Sequence, residues 1–340
     1  MFLKKPFNEK KYILEESLAI KKRVSNFDRI YLEFGGHLIN DYHASRVLPG
    51  YKKHTKLNLL KSFRNDLEII YCIYSKHLNQ KHTEYNSSED FEDLVSSELR
   101  TLEKNGFKIN SVVITRFDKS HKDTLDFVKK LRKQKRKVYL TTPIKGYPNN
   151  LKIIFGKNGF MKEPYIKTSK KIVIVTGPVA NSGKMGVCLS QVFLDSKENI
   201  HSGYAKLETF PIWNLPLNDP INLAYEAATA DVGDYNMVDP FYKKAYGKIA
   251  INYNRDIENF SILLRILNKL PAKNYMHNYK SPTDMGINKI KDGIVDLDKV
   301  HSAAIKEIKR RSQKYLRRYK QGIETKETIE RMNNILKKIK

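Results

Sequence analysis

Cysteines and long hydrophobic runs are nearly absent from this sequence. Its 340 residues contain only two cysteines, Cys72 and Cys188, which excludes a disulfide framework and predicts two reduced thiols buried in apolar segments. No run of about 18 apolar residues occurs, so we expect no transmembrane helix. The first residues become charged before any apolar segment develops, so we expect no secretory signal. Together these absences predict a cytoplasmic protein.

Glycine, proline and metal-binding motifs are also scarce. Sixteen glycines and twelve prolines are too few for a fibrous or low-complexity chain. Neither HExxH nor CxxC occurs, and His37 and His43 do not have the i, i+4 spacing that places two ligands on one helix face. A zinc site therefore has little support. The hydrophobic content of 40% is sufficient for one large or two medium-sized domains.

Positive charge, in contrast, is abundant. Lysine and arginine number 63 against 37 aspartate and glutamate residues, which gives a formal net charge of +26. Such an excess can mark a face for nucleic acid or a site for phosphate-bearing small ligands. The lysines are spread along the chain among many Asn, Ile and Tyr residues, as a compositional bias would also produce. The charge alone leaves these three interpretations open.

Strand-like and helix-like segments alternate along the chain. Short apolar runs such as LEIIYCIYS and KIVIVTG have the length and composition of buried strands, and amphipathic segments separate them. This alternation predicts an α/β fold with two Rossmann-like parallel-sheet units and a short helical C-terminal region. The expected units are residues 1–145, residues 146–295 with a P-loop-like strand-turn-helix, and the charged helical residues 296–340.

Several helices have recognisable boundaries or faces in the sequence. A helix is predicted over residues 8–24, and its apolar stripe is predicted to contain Ile13, Leu14, Leu18 and Ile20. Ser88 is predicted to cap a helix whose first turn is acidic. Asp219, which a proline follows, is typical of a helix start.

The stretch KKIVIVTGPVANSGKMGVCLSQ has the layout of a phosphate-binding loop. A buried strand, a turn with Gly and Lys, and an apolar helix follow one another, and such turns bind anions through backbone N–H groups at a helix N-terminus. Two residues depart from the usual pattern. Pro178 stands where the first glycine is expected, and Met185, which cannot ligate Mg²⁺, follows the lysine. The stretch is compatible with an anion or nucleotide site and with a structural turn that carries a solvated lysine. The candidate ligand-binding residues are Gly177, Ser182, Gly183, Lys184 and Met185.

A second candidate block, YLEFGGHLINDYHASRVLPGY, includes the first predicted strand. Gly35 and Gly36 come where Rossmann-like folds bind ligands, and adjacent glycines allow a ligand to approach the backbone closely. Arg46 is suited to clamp a phosphate or a carboxylate. The alternative is a tight turn with ordinary surface polar residues.

Polar residues later in the chain supply candidate catalytic groups. Lys206 and Glu208 are two positions apart on a predicted strand, so they form either a catalytic pair or a surface pair. The carboxylates around Asp231 are candidates for holding the Mg²⁺ that Met185 cannot hold, or they are solvated loop residues. The predicted catalytic residues are Glu208, Asp231 and Asp284, and Asn254 and Arg255, directly after a strand, are predicted to contact the ligand.

Eight blocks occur in order between about residues 8 and 335: YLEFGGHLINDYHASRVLPG, NSVVITRFD, IKGYP, CLSQ, KLETFPIWNLPL, AYEAATAD, AINYNRDIE and YKSPTDMGIN. In this set the sequence resembles one bacterial family, domain-of-unknown-function family 1846. The number and order of the blocks make the resemblance specific.

The resemblance implies an ATP-dependent protease, zinc-dependent in some members, because proteins of the family have carried that label. This sequence has no metal-protease motif and gives the zinc part no support. In the family, the turn before the helix is richer in glycine than residues 179–181 of this sequence, which puts tight wrapping of a pyrophosphate in doubt. The Ser-Gly-Lys part of the family's turn is kept here at residues 182–184. Family members are also longer, so the resemblance implies a C-terminally shortened chain.

The leading prediction is an enzyme that binds ATP or another phosphate-bearing ligand, with or without Mg²⁺, in a cleft between the two units. Its reaction would be hydrolysis or group transfer. One alternative is a basic module that binds nucleic acid or another polyanion. Another is a degenerate or split subunit that assembles with a separately encoded C-terminal partner or with a second copy of itself. No membrane partner is expected.

Overall fold

The structure is a computed structural model, and it describes residues 5–79, 90–120, 122–147, 149–269 and 274–339. Short apolar runs rich in β-branched and aromatic residues form its strands, as their composition predicts. The strands are β1 (Arg29–Phe34), β2 (Leu67–Tyr74), β3 (Ile109–Thr115), β4 (Val138–Leu140), β5 (Ile172–Thr176), β6 (Ser202–Leu207), β7 (Asn236–Val238), β8 (Ile251–Tyr253) and β9 (Gly286–Ile287).

Helices connect the strands and follow them. The α-helices are α1 (Glu9–Val24), α2 (Tyr42–Val47), α3 (Thr55–Lys61), α4 (Phe91–Lys104), α5 (Lys122–Lys133), α6 (Leu151–Ile154), α7 (Lys184–Lys197), α8 (Pro220–Ala228), α9 (Pro240–Tyr246), α10 (Asn254–Leu267), α11 (Pro282–Met285), α12 (Ile290–Gly293), α13 (Leu297–Lys320) and α14 (Lys326–Lys338). Short 3₁₀ turns lie at Ser75–Asn79, Phe160–Lys162 and Tyr275–Asn278.

One seven-stranded sheet organises the molecule, in the order β4-β3-β2-β5-β1-β6-β9. Every neighbouring pair in it is parallel, whereas β7 and β8 form a separate antiparallel pair. Every residue of β5 and of β6 is buried, which is the pattern of a parallel sheet with helices on both faces. The prediction of an α/β fold with a parallel sheet is confirmed.

The two units predicted from the sequence share this sheet. β5, from the predicted second unit, lies between β2 and β1 of the first, and β1 pairs with both β5 and β6. The expectation of one sheet for each unit is therefore corrected to a single shared sheet. Alternating strands and helices indicate parallel pairing, but they do not reveal the order in which the strands insert. The division of the chain at residues 145 and 295 stays a prediction.

The strand order creates a crevice at the carboxyl edge of the sheet. From β2 the chain continues to β3 on one side, whereas from β5 it continues to β6 on the other. Neighbouring strands whose connections leave in opposite directions open a crevice outside their carboxyl ends, where α/β proteins bind ligands. In this protein the crevice lies where β2 and β5 end.

Two hydrophobic cores stabilise the described part of the chain. The larger core surrounds the sheet, and the smaller core lies among α1, α2, α8, α13 and α14. The charged region predicted from residue 296 onward is helical, as expected. α13 nevertheless has an apolar stripe at four-residue spacing, because Val300, Ala304 and Ile308 are all buried in the smaller core. This packing holds the charged face of α13 in a defined orientation.

The first predicted helix is α1, and half of its predicted apolar stripe faces the core. Ile20 is buried and Ile13 is partly buried against the core, as predicted, whereas Leu14 and Leu18 are 57% and 51% exposed. The buried face also contains Tyr12 and Glu16, which the prediction did not include. The Glu16 carboxylate accepts a hydrogen bond of 2.6 Å from a backbone N–H just before α12. A tertiary contact of this kind overrides the apolar stripe, and the sequence of α1 does not show it.

Of the two predicted helix caps, Asp219 lies among the described residues and Ser88 does not. Asp219 caps α8, and its Oδ1 accepts a hydrogen bond of 2.9 Å from the backbone N–H of Ile221, as predicted. Asp90 caps α4, and the predicted cap Ser88 lies outside the described residues. Among the helices that the structure describes, none is long and apolar enough to cross a membrane.

Candidate functional site

A cavity of about 980 Å³ opens at the carboxyl edge of the sheet. The ends of β1, β3 and β6 and the turn between β5 and α7 line it on one side, and α10 and α13 contribute further walls. The volume is at the upper end of the range of roughly 300–1,000 Å³ that small-molecule sites occupy. The crevice expected from the strand order is therefore large enough for a nucleotide-sized ligand.

The turn between β5 and α7 has a left-handed backbone at two positions. Asn181 has φ 58° and Gly183 has φ 84°, a region that glycine and asparagine tolerate best. A Cβ atom on Gly183 would lie 2.7 Å from Oγ1 of Thr115, so only glycine fits there. The same hydroxyl donates a hydrogen bond of 2.9 Å to the carbonyl of Ser182. β3 therefore holds the turn in place.

α7 begins directly after this turn, at Lys184. No side chain caps the helix, since Gly183 is its N-cap residue. The first backbone N–H groups of a helix have no partner within the helix, and they carry the positive end of its dipole. Lys184, Met185 and Gly186 all line the cavity. The arrangement therefore directs a positive potential into the cavity.

The side chain of Lys184 is buried, and Lys184 is only 9% exposed. Its Nζ lies 3.4 Å from Oγ of Ser182, and among the described residues no carboxylate oxygen lies within 4 Å of it. Burial lowers the pKa of Lys184, and the more distant carboxylate of Glu33 only partly opposes this shift. The alternative of a solvated lysine is wrong, because this ammonium group is almost entirely withdrawn from bulk solvent.

Two arginines contact Asn181 in the same turn. Arg255 Nη1 donates to Oδ1 of Asn181 at 3.0 Å, and its Nη2 forms a 2.5 Å ion pair with Asp234. Arg116 donates to the carbonyl of Asn181, and its guanidinium carbon lies 3.5 Å from the ring centroid of Tyr74. The two guanidinium groups therefore add positive charge beside the turn, and Asp234 compensates one of them.

A second buried lysine, Lys206, is the last residue but one of β6 and has a very different environment. Its Nζ forms ion pairs of 2.7 Å with Asp256 and 2.8 Å with Glu208, and it also contacts the hydroxyl of Tyr253. Burial alone would lower the pKa of Lys206, but the two carboxylates raise it well above its ordinary value. We call Lys206, Glu208, Tyr253 and Asp256 the Lys206 network.

Glu208 has a pKa suited to proton transfer near neutral pH. Burial raises its pKa to about 7, while the ion pair with Lys206 opposes the shift. The single ammonium group of Lys206 pairs with the carboxylates of both Glu208 and Asp256, so its one positive charge cannot neutralise two negative charges. A carboxyl group with a pKa near the ambient pH can both donate and accept protons. The alternative of a surface pair is wrong, because the side chains of Lys206 and Glu208 are only 6% and 13% exposed, whereas the catalytic interpretation stays a prediction.

The glycine pair after β1 forms a tight turn at the edge of the same cavity. Gly36 has φ 64°, and the carbonyl of Gly35 accepts a hydrogen bond of 3.0 Å from Nζ of Lys56. Lys56 in turn forms a buried ion pair of 2.8 Å with Asp41. A Cβ atom on Gly35 would lie 3.4 Å from Cγ of Glu208. The turn thus brings the backbone close to the Lys206 network.

Another wall of the cavity carries a cluster of arginines around one buried carboxylate. Oε2 of Glu307 accepts hydrogen bonds from Nε of Arg46 at 2.8 Å and from Nε of Arg310 at 2.6 Å. Oε1 accepts from Arg310 at 2.8 Å and from Arg311 at 3.1 Å. Burial would raise the pKa of Glu307, but these hydrogen bonds hold it well below its usual range. We call Arg46, Arg310, Arg311 and Glu307 the arginine cluster.

Most of the residues predicted from the sequence line this one cavity, and their functional roles stay predictions. The predicted residues that line it are Gly35, Gly36, Arg46, Ser182, Gly183, Lys184, Met185, Glu208, Asp231 and Arg255.

Three predicted residues do not line the cavity. Gly177 lies behind it, where a Cβ atom would approach the carbonyl of Cys72 to 2.4 Å. The side chain of Asn254 is buried and accepts a hydrogen bond of 3.0 Å from the backbone N–H of Tyr235. Asp284 accepts a hydrogen bond of 3.0 Å from the hydroxyl of Tyr246. Each of the three residues thus has a structural contact outside the cavity lining, although Gly177 packs directly against the candidate Ser182.

The predicted cluster of carboxylates around Asp231 is dispersed. Glu226 accepts from a backbone N–H, Asp239 caps α9, and Asp234 is paired with Arg255. Within the described ranges, no group of three or more His, Cys, Asp and Glu side chains is placed to hold a metal ion. Mg²⁺ commonly binds through one or two carboxylates together with substrate phosphates. A role of Asp231 or Glu208 toward such an ion stays a prediction.

Several cavity residues were not among the sequence predictions. Tyr253 and Asp256 complete the Lys206 network, and the only signal for them was their position directly after a predicted strand. Of the arginine cluster, Arg46 was predicted, whereas Arg310, Arg311 and Glu307 were missed because α13 resembles a solvated charged helix. The available signal was the spacing of Glu307 from Arg310 and Arg311 at i+3 and i+4, together with the apolar stripe on the same helix.

The fold and the cavity define an α/β protein with a parallel sheet and, at its carboxyl edge, a cleft lined by apolar residues and by charged side chains of both signs. The chain belongs to the family described as "Domain of unknown function DUF1846, N-terminal", which matches residues 5–340. The predicted family membership is thereby confirmed.

Curated relatives with the printed name UPF0371 protein support this membership. The chain is 44% identical over 336 residues to one from Clostridium botulinum strain Eklund 17B, with 98% of the chain and 66% of the relative covered. It is 42% identical over 340 residues to one from Clostridioides difficile strain 630, with coverage of 99% and 67%. The chain thus spans about two thirds of the length of these relatives. The matches give no support to the expected C-terminal shortening.

Proposed function

We propose that the protein binds a phosphate-bearing ligand, ATP or a compound of similar charge, at the turn between β5 and α7. The observation that carries the proposal is the environment of Lys184. Its ammonium group is buried, faces the cavity and has no carboxylate within 4 Å among the described residues.

A buried cation without a counter-ion is costly, because it loses its hydration and gains no compensating charge. Proteins rarely keep such a group unless a ligand completes its environment. An anion bound near Lys184 would also accept hydrogen bonds from the uncapped N–H groups of α7, and Arg116 and Arg255 lie beside the same turn. Phosphate is the anion that such turns bind most commonly.

We assign the chemistry to the Lys206 network. Glu208 would act as general acid or base, since its pKa of about 7 permits both roles. Lys206 would hold Glu208 and Asp256 in position rather than contact the ligand phosphate, because two carboxylates already compensate its charge. The reaction would be hydrolysis or transfer of the phosphate-bearing group.

Isothermal titration tests the binding with ATP, ADP and inorganic pyrophosphate as probes, each with and without Mg²⁺. Lys184→Met should weaken the affinity for the tightest-binding of these probes at least about tenfold, since a charge-assisted hydrogen bond contributes about 1.5–3 kcal/mol. Lys197→Met, in the last turn of the same helix, is the matched control and should change the affinity less than twofold. Equal affinities of the wild type and the Lys184 variant would overturn the proposal.

A separate measurement tests the role of Glu208. Glu208→Gln keeps the shape of the side chain and can still hydrogen-bond, so ligand affinity should stay within about threefold of wild type. Release of phosphate from ATP should fall about 10²-fold or more, the usual contribution of a general acid or base. A wild-type protein that binds ATP but releases no phosphate, or a variant with full turnover, would contradict the catalytic part of the proposal.

A further inference from the structure

The arginine cluster holds more hydrogen-bond donors than its carboxylate can use. Three guanidinium groups carry five N–H donors each, whereas Glu307 offers only two oxygens. Arg46 and Arg311 each donate to Glu307 through Nε alone. The Nη groups of these two arginines make no hydrogen bond to any residue that the structure describes, and both arginines line the cavity.

The charge of the cluster is only partly compensated, because among the described residues Glu307 is the one carboxylate that pairs with Arg46, Arg310 and Arg311. Arg318 and Lys314 of α13 line the same wall, and Nε of Arg318 pairs with Glu324 at 3.4 Å. Burial, and after it the positive charges of the neighbouring arginines, lower the pKa of Lys314. The wall therefore has a positive potential that Glu307 only partly offsets.

Glu307 holds the three arginines of the cluster in fixed positions relative to one another. Its side chain is 1% exposed, and it fixes Arg46 of α2 against Arg310 and Arg311 of α13. Guanidinium groups that are held in position by Nε keep their Nη edge available for two parallel hydrogen bonds to a planar or tetrahedral oxyanion. Preorganisation of this kind is the usual property of an anion site rather than of a solvated helix face.

We propose that Arg46 and Arg311 form a second oxyanion subsite, so that one ligand with two separated anionic groups, such as a bisphosphate, spans the cavity. The inference rests on the proposed function for the first phosphate, at Lys184, and adds the second. The two subsites lie on different walls of one cavity of about 980 Å³, and the Lys206 network lines the same cavity. Lys184 begins α7, whereas Arg46 lies in α2 and Arg311 in α13, so the two subsites stand on different elements.

Equilibrium dialysis with radiolabelled inorganic phosphate, at constant ionic strength, counts the subsites independently of any ligand scaffold. The wild type should bind two phosphates, and Lys184→Met and Arg311→Gln should each bind one. Arg311→Gln leaves Glu307 paired with Arg310 and Arg46, so the variant should fold, and a thermal unfolding curve checks this. Arg136→Gln is the matched control, because Arg136 is ion-paired with Glu103 and does not line the cavity.

A wild type that binds one phosphate, or an Arg311 variant that binds two, would overturn the second subsite. Loss of a phosphate in Arg311→Gln but not in Lys184→Met would instead contradict the proposed function and leave the arginine subsite standing. The two failures are therefore distinguishable.

Alkane-diol bisphosphates of increasing length, each compared with its monophosphate, test whether one ligand spans both subsites. The best-fitting bisphosphate should bind at least about tenfold more tightly than its monophosphate, and Arg311→Gln should remove this gain. The absence of any gain over the whole series would contradict a single bridging ligand.

Discussion

Two of the lysines that line the cavity, Lys184 and Lys206, differ in what surrounds them. Lys206 has two carboxylates and a tyrosine hydroxyl in contact with its Nζ, whereas within the described ranges the one hydrogen bond of the Lys184 Nζ is to the hydroxyl of Ser182, at 3.4 Å. Their pKa shifts are opposite, since burial lowers that of Lys184 while paired carboxylates raise that of Lys206 despite its burial. Burial alone therefore does not distinguish the two lysines. They differ in the counter-charge that the described residues supply, and this difference is the reason why we propose ligand binding for Lys184 and a structural role for Lys206.

The largest expected effect on the free energy of unfolding comes from replacing Lys206, the lysine whose charge two carboxylates compensate. Lys206→Met would leave Glu208 and Asp256 buried without their common cation, and breaking a buried ion pair in this way costs about 3–5 kcal/mol. Urea denaturation at pH 7 measures the free energy of unfolding. Lys130→Met is the control, because its pair with Glu92 is on the surface, and it should be indistinguishable from wild type. An equally small effect of Lys206→Met would show that its pairs do not stabilise the fold.

The next effect is a dependence of stability on pH that comes from Glu208. Its pKa is raised from 4.5 in the unfolded chain to about 7 in the folded protein. The folded state therefore binds the proton more tightly, and this contribution to stability is complete below about pH 4.5 and is lost as the pH rises through 7. Relative to Glu208→Gln, the wild type should lose on the order of 3 kcal/mol over this range. Parallel curves of unfolding free energy against pH for the two proteins would contradict the raised pKa.

A smaller effect compares two glycines at the start of α7. Gly183→Ala would combine a left-handed backbone with a Cβ atom 2.7 Å from Oγ1 of the buried Thr115, so it should destabilise the protein by about 2 kcal/mol or more. At Gly186 no atom lies within 4 Å of an added Cβ, and alanine there should stabilise the helix by up to about 1 kcal/mol. Chemical denaturation of both variants tests the turn geometry. A stable Gly183→Ala protein would mean that the turn is not constrained as described.

The sequence was sufficient for the fold class and for one side of the site. Continuous apolar runs and helix signals predicted a parallel α/β sheet, and the Gly-Lys stretch predicted the position of Lys184 at a helix start. The sharing of one sheet by both predicted units was not predictable, because β5 inserts between β2 and β1 through contacts that are distant in sequence.

Tertiary contacts also explain the other differences from the predictions. The burial of Glu16 in place of Leu14 depends on a backbone N–H nearly the whole chain away. The arginine cluster depends on α2 meeting α13, two helices that are equally distant in sequence. Asp284 was predicted as catalytic, but it lies in α11 and accepts a hydrogen bond from Tyr246 at a position that does not line the cavity. A local pattern therefore predicts what a residue can do, and long-range packing decides where it does so.

The free energy of unfolding of Lys184→Met, with and without inorganic pyrophosphate, tests the central claim most directly. The account predicts that the variant without ligand is at least as stable as the wild type, since methionine removes an uncompensated buried charge. Pyrophosphate should stabilise the wild type by the linkage of binding to folding and should leave the variant nearly unchanged. A variant as unstable as Lys206→Met, or one that pyrophosphate stabilises as much as it stabilises the wild type, would contradict the account.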